Sequence, residues 1–159
     1  MKLKKIRIIN YRCFKDADID FDEHTTLIVG KNGAGKTAIL DAVAVAVSTF
    51  LLGIDGGAGR SISKDDARYE FHDLDGTVDP QHQFPVSIES IGDCLDNHDV
   101  KWVRSLNSES GNTTIKEARE LTNISKETQK KIMTGDKLLI LPLISYYGTG
   151  RLYAQKKEK

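Results

Sequence analysis

Thr25-Thr26-Leu27-Ile28-Val29-Gly30-Lys31-Asn32-Gly33-Ala34-Gly35-Lys36-Thr37-Ala38-Ile39-Leu40 is the stretch on which the reading of the fold turns. Its first five residues are β-branched or apolar and read as a buried strand that stops at a glycine. Its last residues open an apolar run rich in helix formers, Ala38 to Val47. Between them, Gly30 to Thr37 follow the spacing G-x-x-x-x-G-K-[ST]. A loop that wraps a phosphate must bring several backbone N–H groups close to anionic oxygens. Glycine suits that task, because it lacks a Cβ and accepts positive φ. The helix that follows adds the positive end of its dipole. Lys36 is a compact cation within reach of the outer phosphates of a nucleotide, and the Thr37 hydroxyl stands where a Mg²⁺ ligand is required.

Composition bounds what surrounds this loop. A chain of 159 residues can bury one good core and is too short for two ordinary domains, so one domain or part of one is expected. Basic and acidic residues balance at 23 each, which gives no argument for a nucleic-acid or membrane partner. Cys13 and Cys94 are far apart, form no C-x-x-C pair and follow no secretory signal, which predicts reduced thiols and a cytoplasmic location. The longest apolar stretch, Ala38 to Leu52, contains Asp41 and falls short of the roughly 20 residues of a membrane helix. It is read as a core helix.

Outward from the loop, Leu3 to Ile9 predicts a strand with one basic face, ending at Asn10-Tyr11-Arg12-Cys13-Phe14. Ala17, Ile19 and Phe21 alternate with Asp16, Asp18, Asp20 and Asp22, which predicts a second strand with one acidic face. The helix from Lys36 to Leu51 is apolar nearly all round and is expected to lie buried between layers, ending at Gly53. Residues 53–83, rich in Gly, Asp and Ser, show no strong periodicity and read as a long, partly mobile connection. Phe84 to Ile91 and Val100 to Leu106 predict an antiparallel pair, Ser108 to Asn112 a turn, and Thr113 to Glu117 the capped start of a polar helix reaching Met133. Lys137 to Ile144 reads as a second buried strand. The resulting class is α/β: a P-loop NTPase lobe whose mixed sheet has a parallel core and an antiparallel edge.

The loop spelling Gly30-Lys31-Asn32-Gly33-Ala34-Gly35-Lys36-Thr37, together with the Asn10 to Phe14 turn, resembles the ABC-type ATPases of the SMC, RecF and DNA-repair kind over Met1 to Leu52. Leu141-Pro142-Leu143-Ile144-Ser145-Tyr146-Tyr147-Gly148-Thr149-Gly150-Arg151 resembles, less specifically, a bacterial group of predicted ATP-binding proteins linked to virulence and phage defence. The resemblance implies that ATP and Mg²⁺ are the cofactors. It implies that Arg12, Gly30, Lys31, Asn32, Gly33, Ala34, Gly35, Lys36, Thr37 and Ala38 surround the nucleotide, with Thr37 on the metal. Gln155 or Arg151 stands where the family has a glutamine loop sensing the γ-phosphate, a frayed terminus being the alternative. A homodimer in the complete protein is also implied, with nucleic acid or a nuclease downstream in DNA repair or phage defence.

The chain carries no apolar strand followed by Asp-Glu, no Leu-Ser-Gly-Gly signature and no switch histidine. The resemblance therefore makes it the N-terminal lobe of a larger ATPase, lacking the C-terminal lobe and able to bind ATP without hydrolysing it efficiently. The alternatives are a non-catalytic ATP-binding regulatory module and a self-contained P-loop kinase, for which acceptor and lid residues are missing. Asp16-x-Asp18-x-Asp20 fails as a calcium loop at Phe21 and Leu27 and reads as a solvated strand face. His24, His72, His82 and His98 lack metal-ligand spacing.

Overall fold

Apolar alternation at the start of the chain folds into a hairpin, as expected. The computed structural model describes residues 1–74, 77–136 and 139–148. Strand β1 (Lys2–Tyr11) pairs antiparallel with β2 (Phe14–Asp20), placing Ile6 opposite Ile19 and Ile8 opposite Ala17. On the other face the basic side of β1 meets the acidic side of β2. Arg7 holds Asp16 through two hydrogen bonds of 2.9 and 2.7 Å, and Lys5 reaches Asp18 at 2.9 Å. Asp16 and Asp18 are therefore rungs of a cross-strand ion-pair ladder on an exposed face.

Helix α1 (Lys36–Ser48) runs on into a 3-10 turn at Thr49–Gly53, so the helical stretch ends at the expected glycine. Strands β5 (Val86–Cys94) and β6 (Asn97–Leu106) form the expected antiparallel pair, and β5 also pairs with β1. The four-stranded sheet has the order β2-β1-β5-β6. Ile6 and Ile8, Val86 and Ile88, and Val100, Trp102 and Leu106 lie on its buried face, and Ala38, Ala42, Val45 and Ala46 of α1 join the same core. The Trp102 indole donates to the Ala46 carbonyl at 3.0 Å, tying helix to sheet at a fixed height. Helix α2 (Arg119–Met133) packs on the 3-10 turn so closely that a Cβ on Gly53 would lie 1.9 Å from Ser125 Oγ.

Several expectations are corrected. All strand pairs among the described residues are antiparallel, so the mixed sheet with a parallel core is not present in them. Thr25 to Val29 carries no strand, and Leu27 and Val29 are each 82% exposed. A β-branched run becomes a strand only when a neighbour satisfies its backbone, and the described residues supply none. The same holds at 139–144: no strand forms there, and Ile140 and Leu143 are 84% and 96% exposed, although Ile144 packs on the core. Residues 137 and 138 of that expected strand lie outside the described residues. Helix α1 is buried on one side only, with Leu40 exposed and Val43 and Val47 half-buried along a groove.

The stretch 53–83 is more ordered than its composition suggests. A 3-10 turn at Lys64–Asp66 is closed by a capping box between Ser63 and Asp66. A hairpin follows, β3 (Tyr69–Leu74) with β4 (Thr77–His82), anchored by Arg68 N–H donating to the Asn10 carbonyl at 2.9 Å. Pro80 disguises β4 in the sequence, and a two-stranded sheet tolerates it because each strand keeps a free edge. The polar helix starts later than expected, after a 3-10 turn at Lys116–Ala118. Thr113 and Thr114 do not cap it; their hydroxyls bond the backbone of Ile62 and Ser105.

Candidate nucleotide site

Local backbone chemistry builds the loop. Gly33 and Gly35 adopt φ of +82° and +86°, the left-handed region that a side chain disfavours. Gly35 is also the N-cap of α1, so no side chain occupies the N–H groups of the first turn. A Cβ at Gly35 would lie 2.6 Å from Phe14 Cζ and 2.7 Å from Cys13 Sγ. The Asn10 to Phe14 turn is thereby pressed directly against the loop. Asn10 and Arg12 in that turn adopt positive φ as well, 50° and 51°.

Within the loop, Lys36 Nζ folds back to donate to the carbonyls of Gly30 and Lys31, each at 2.7 Å. The Ala34 N–H closes the turn onto the Lys31 carbonyl at 3.2 Å. Lys31, Asn32, Gly33, Ala34 and Thr37 are exposed, whereas the Ala38 side chain is buried in the core, leaving only its backbone to face a ligand. Free first-turn amides, a helix dipole and an ammonium on neutral carbonyls make an anion site. An ionised phosphate offers Lys36 a stronger acceptor than either carbonyl.

Arg12 is held by two carboxylates that the sequence does not mark as its partners. Its Nε donates to Asp66 at 2.8 Å and its Nη1 to Asp41 at 2.5 Å. Asp41, on α1, is 5% exposed; its other oxygen ion-pairs with Arg60 at 3.0 Å and accepts from the Tyr146 hydroxyl. Burial pushes the Asp41 carboxyl up, but the hydrogen bonds from Tyr146 and Arg12 outweigh it and leave the group below its ordinary value. Burial and then the bond to Asp41 push the Tyr146 phenol up, so it stays a donor. Sequence reasoning missed Asp66, Arg60 and Tyr146 as partners. The available signal was Asp41, the lone acidic residue in a largely apolar helix.

Among the described residues no group of three or more His, Cys, Asp or Glu is arranged to hold a metal ion. Thr37 presents one exposed hydroxyl, and the acid one turn further along, Asp41, is committed to cations. Gln155 and Arg151 lie outside the described residues. Cys13 is exposed and Cys94 buried, both as free thiols, with burial pushing the Cys94 thiol up.

A glycine loop heading a sheet-packed helix is consistent with a P-loop NTPase domain. The chain belongs to the AAA domain family, whose model matches residues 5–159. It is similar to the DNA double-strand break repair Rad50 ATPase of Archaeoglobus fulgidus, 50% identical over 44 residues, or 28% of this chain and 5% of that protein. The DNA replication and repair protein RecF of Flavobacterium johnsoniae is 49% identical over 43 residues, 27% of this chain and 12% of RecF. A longer match, to the DNA double-strand break repair Rad50 ATPase of Pyrococcus abyssi, has 26% identity over 88% of this chain and 21% of that protein. The chain thus spans between 5% and 21% of the length of these relatives.

Proposed function

We propose that the chain is the nucleotide-binding lobe of an ABC-type ATPase of the SMC and RecF kind, binding ATP and Mg²⁺ at Gly30 to Ala38. The observation that carries this reading is the Gly35 N-cap: a left-handed glycine leaves the first-turn amides of α1 uncapped beside the Lys36 ammonium. Lys36 holds the outer phosphates, the loop amides hold the β-phosphate, and Thr37 contributes one oxygen to the metal. Arg12 borders the nucleotide through the turn that rests on Gly35. With ATP and Mg²⁺ bound, Thr37 and the phosphate oxygens would each supply part of the metal's oxygen shell.

Metal-binding carboxylates, the hydrolytic base and the signature motif come, in this proposal, from a second lobe. The exposed apolar residues Leu27 and Val29 in one stretch, and Ile140 and Leu143 in another, support that division, because each stretch leaves apolar side chains and backbone without a partner strand. In the complete protein two copies sandwich ATP, and closure serves DNA repair, as the names of the Rad50 and RecF relatives suggest, or phage defence, as the Leu141 to Arg151 resemblance suggests. A nuclease or nucleic acid is the downstream partner, and the location is cytoplasmic. One observation favours a second reading, a regulatory module that binds ATP without turning it over: Asp41, the acid one turn beyond Thr37, is already ion-paired.

Calorimetry with ATP, with and without Mg²⁺, tests the site. Lys36→Ala is expected to weaken binding more than tenfold, since a charge-assisted contact is worth about 1.5–3 kcal/mol. Unchanged affinity would refute the assignment. The chain by itself is expected to show little steady-state turnover, and a robust Mg²⁺-dependent rate would mean that it contains its own base.

A further inference from the structure

Four stretches distant in sequence meet at one carboxylate five positions beyond Lys36. Asp41 takes Arg12 on one oxygen, and Arg60 and Tyr146 on the other. Arg12 is also tied to Asp66, by its side chain at 2.8 Å and by its own N–H to the Asp66 carbonyl at 2.7 Å. The Arg60 guanidinium lies 5.1 Å over the Tyr146 ring, and the Arg60 N–H donates to Ser48 of α1 at 2.8 Å. Residues 139–148 belong to no sheet or helix, and the Tyr146 contacts, with Ile144 against the core, hold them to α1. On the other side of Asp41, the residues next to Arg12, Cys13 and Phe14, touch Gly35 of the phosphate loop.

The charges of this cluster balance as they stand: Asp41 and Asp66 against Arg12 and Arg60. A phosphate group arriving at the loop unbalances them. It competes for Arg12, the cation of this cluster whose chain neighbours touch the loop at Gly35, and whatever Arg12 gives to phosphate it withdraws from Asp41. A carboxylate that is 5% exposed cannot turn to water for compensation, so its remaining donors, Arg60 and Tyr146, must take up the charge.

We propose that Asp41 is a positioning residue that couples the phosphate loop to the 139–148 segment, nucleotide engagement of Arg12 tightening the Tyr146 and Arg60 clasp on Asp41. This rests on the reading of Gly30 to Thr37 as a triphosphate site. Coupling is reciprocal: a segment clasped to Asp41 leaves Arg12 freer to turn to phosphate and raises nucleotide affinity. The segment borders the groove of about 570 Å³ along Leu40, Val43 and Val47, so the same event fixes one wall of that groove.

The test uses the 159-residue chain and three variants, with ATP binding followed by calorimetry and amide hydrogen exchange followed across residues 139–148. Tyr146→Phe removes one oxygen from a side chain that is 42% exposed and spares the fold. It is expected to weaken ATP about three- to tenfold, less than the full worth of a hydrogen bond to a charged group because only part of it is coupled to the distant phosphate site. ATP is expected to slow exchange at 139–148 in the native chain and to leave it unchanged in Tyr146→Phe. Asp41→Asn should likewise abolish the ATP-dependent slowing; a purely structural role would raise exchange with and without ATP alike. If Lys36→Ala destroys ATP binding while Tyr146→Phe binds normally and ATP leaves exchange at 139–148 unaltered, the coupling is overturned and the loop assignment stands. If Lys36→Ala itself binds ATP normally, the loop assignment fails and the coupling with it.

Discussion

Gly35 shows how much one residue carries. It must hold φ at +86°, cap a helix without a side chain, and admit Phe14 and Cys13 within the space of a methyl group. Gly35→Ala therefore combines backbone strain with an overlap that only movement of the Asn10 to Phe14 turn can relieve. A loss of about 1–3 kcal/mol in chemical denaturation is expected, together with weaker ATP binding. A variant as stable as the native chain would show that the loop relaxes at little cost. The motif spacing made this glycine legible in the sequence, but its second duty, admitting Phe14, was not. Nothing in a linear pattern says which side chain a distant turn will press against the loop.

At the scale of elements, helix and sheet are joined by polar pins inside an apolar layer. Trp102 donates to Ala46, and the buried Arg104 donates to the Thr114 carbonyl at 2.9 Å and to Thr49 Oγ1 at 3.2 Å. Arg104 has neutral acceptors and no carboxylate partner in these bonds, and burial lowers its pKa from the ordinary value. A buried cation on neutral acceptors contributes little net stability, because desolvation offsets its hydrogen bonds. Arg104→Met, which keeps the length of the apolar stem, is expected to stay within about 1 kcal/mol of the native chain in urea unfolding. Arg104→Ala, which leaves a cavity, should cost about 2–4 kcal/mol. Equal losses for both would mean that the charge itself matters. The strands β1, β2, β5 and β6 were readable because alternation with period two survives wherever one face is buried. Hairpin β3–β4 escaped notice because Pro80 and the surrounding aspartates mask the same pattern.

For the molecule as a whole, several carboxyls titrate below their ordinary values in the folded state. Asp93 is lowered to about 2, chiefly by its hydrogen bond from Lys4, and Asp16, Asp22 and Asp41 are lowered as well. The folded chain thus binds fewer protons than the unfolded one in acid, so stability falls as pH falls. The contribution is fully present above the unfolded carboxyl value of about 4 and is lost on descending to about pH 2. Urea midpoints should hold steady from pH 7 to about pH 5 and drop steeply below about pH 4. A flat profile to pH 2.5 would show that these carboxyls titrate alike in the folded and unfolded chain and that their ion pairs add no stability.

By itself the sequence determined the glycine loop, the helix behind it, the opening strands and the β5–β6 pair. Each rests on local rules: glycine where φ is positive, alternation where one face is buried, helix formers after the loop. Tertiary structure decided what those rules cannot reach. Thr25 to Val29 has every local mark of a strand and is not one, because a strand is a relation between two segments and none of the described residues pairs with it. Nothing near Arg12 in the sequence marks its partners, yet folding brings Asp41 and Asp66 to it from 29 and 54 positions away. Where a side chain finds its charge partner depends on packing across the whole chain, and spacing along the sequence carries no record of that.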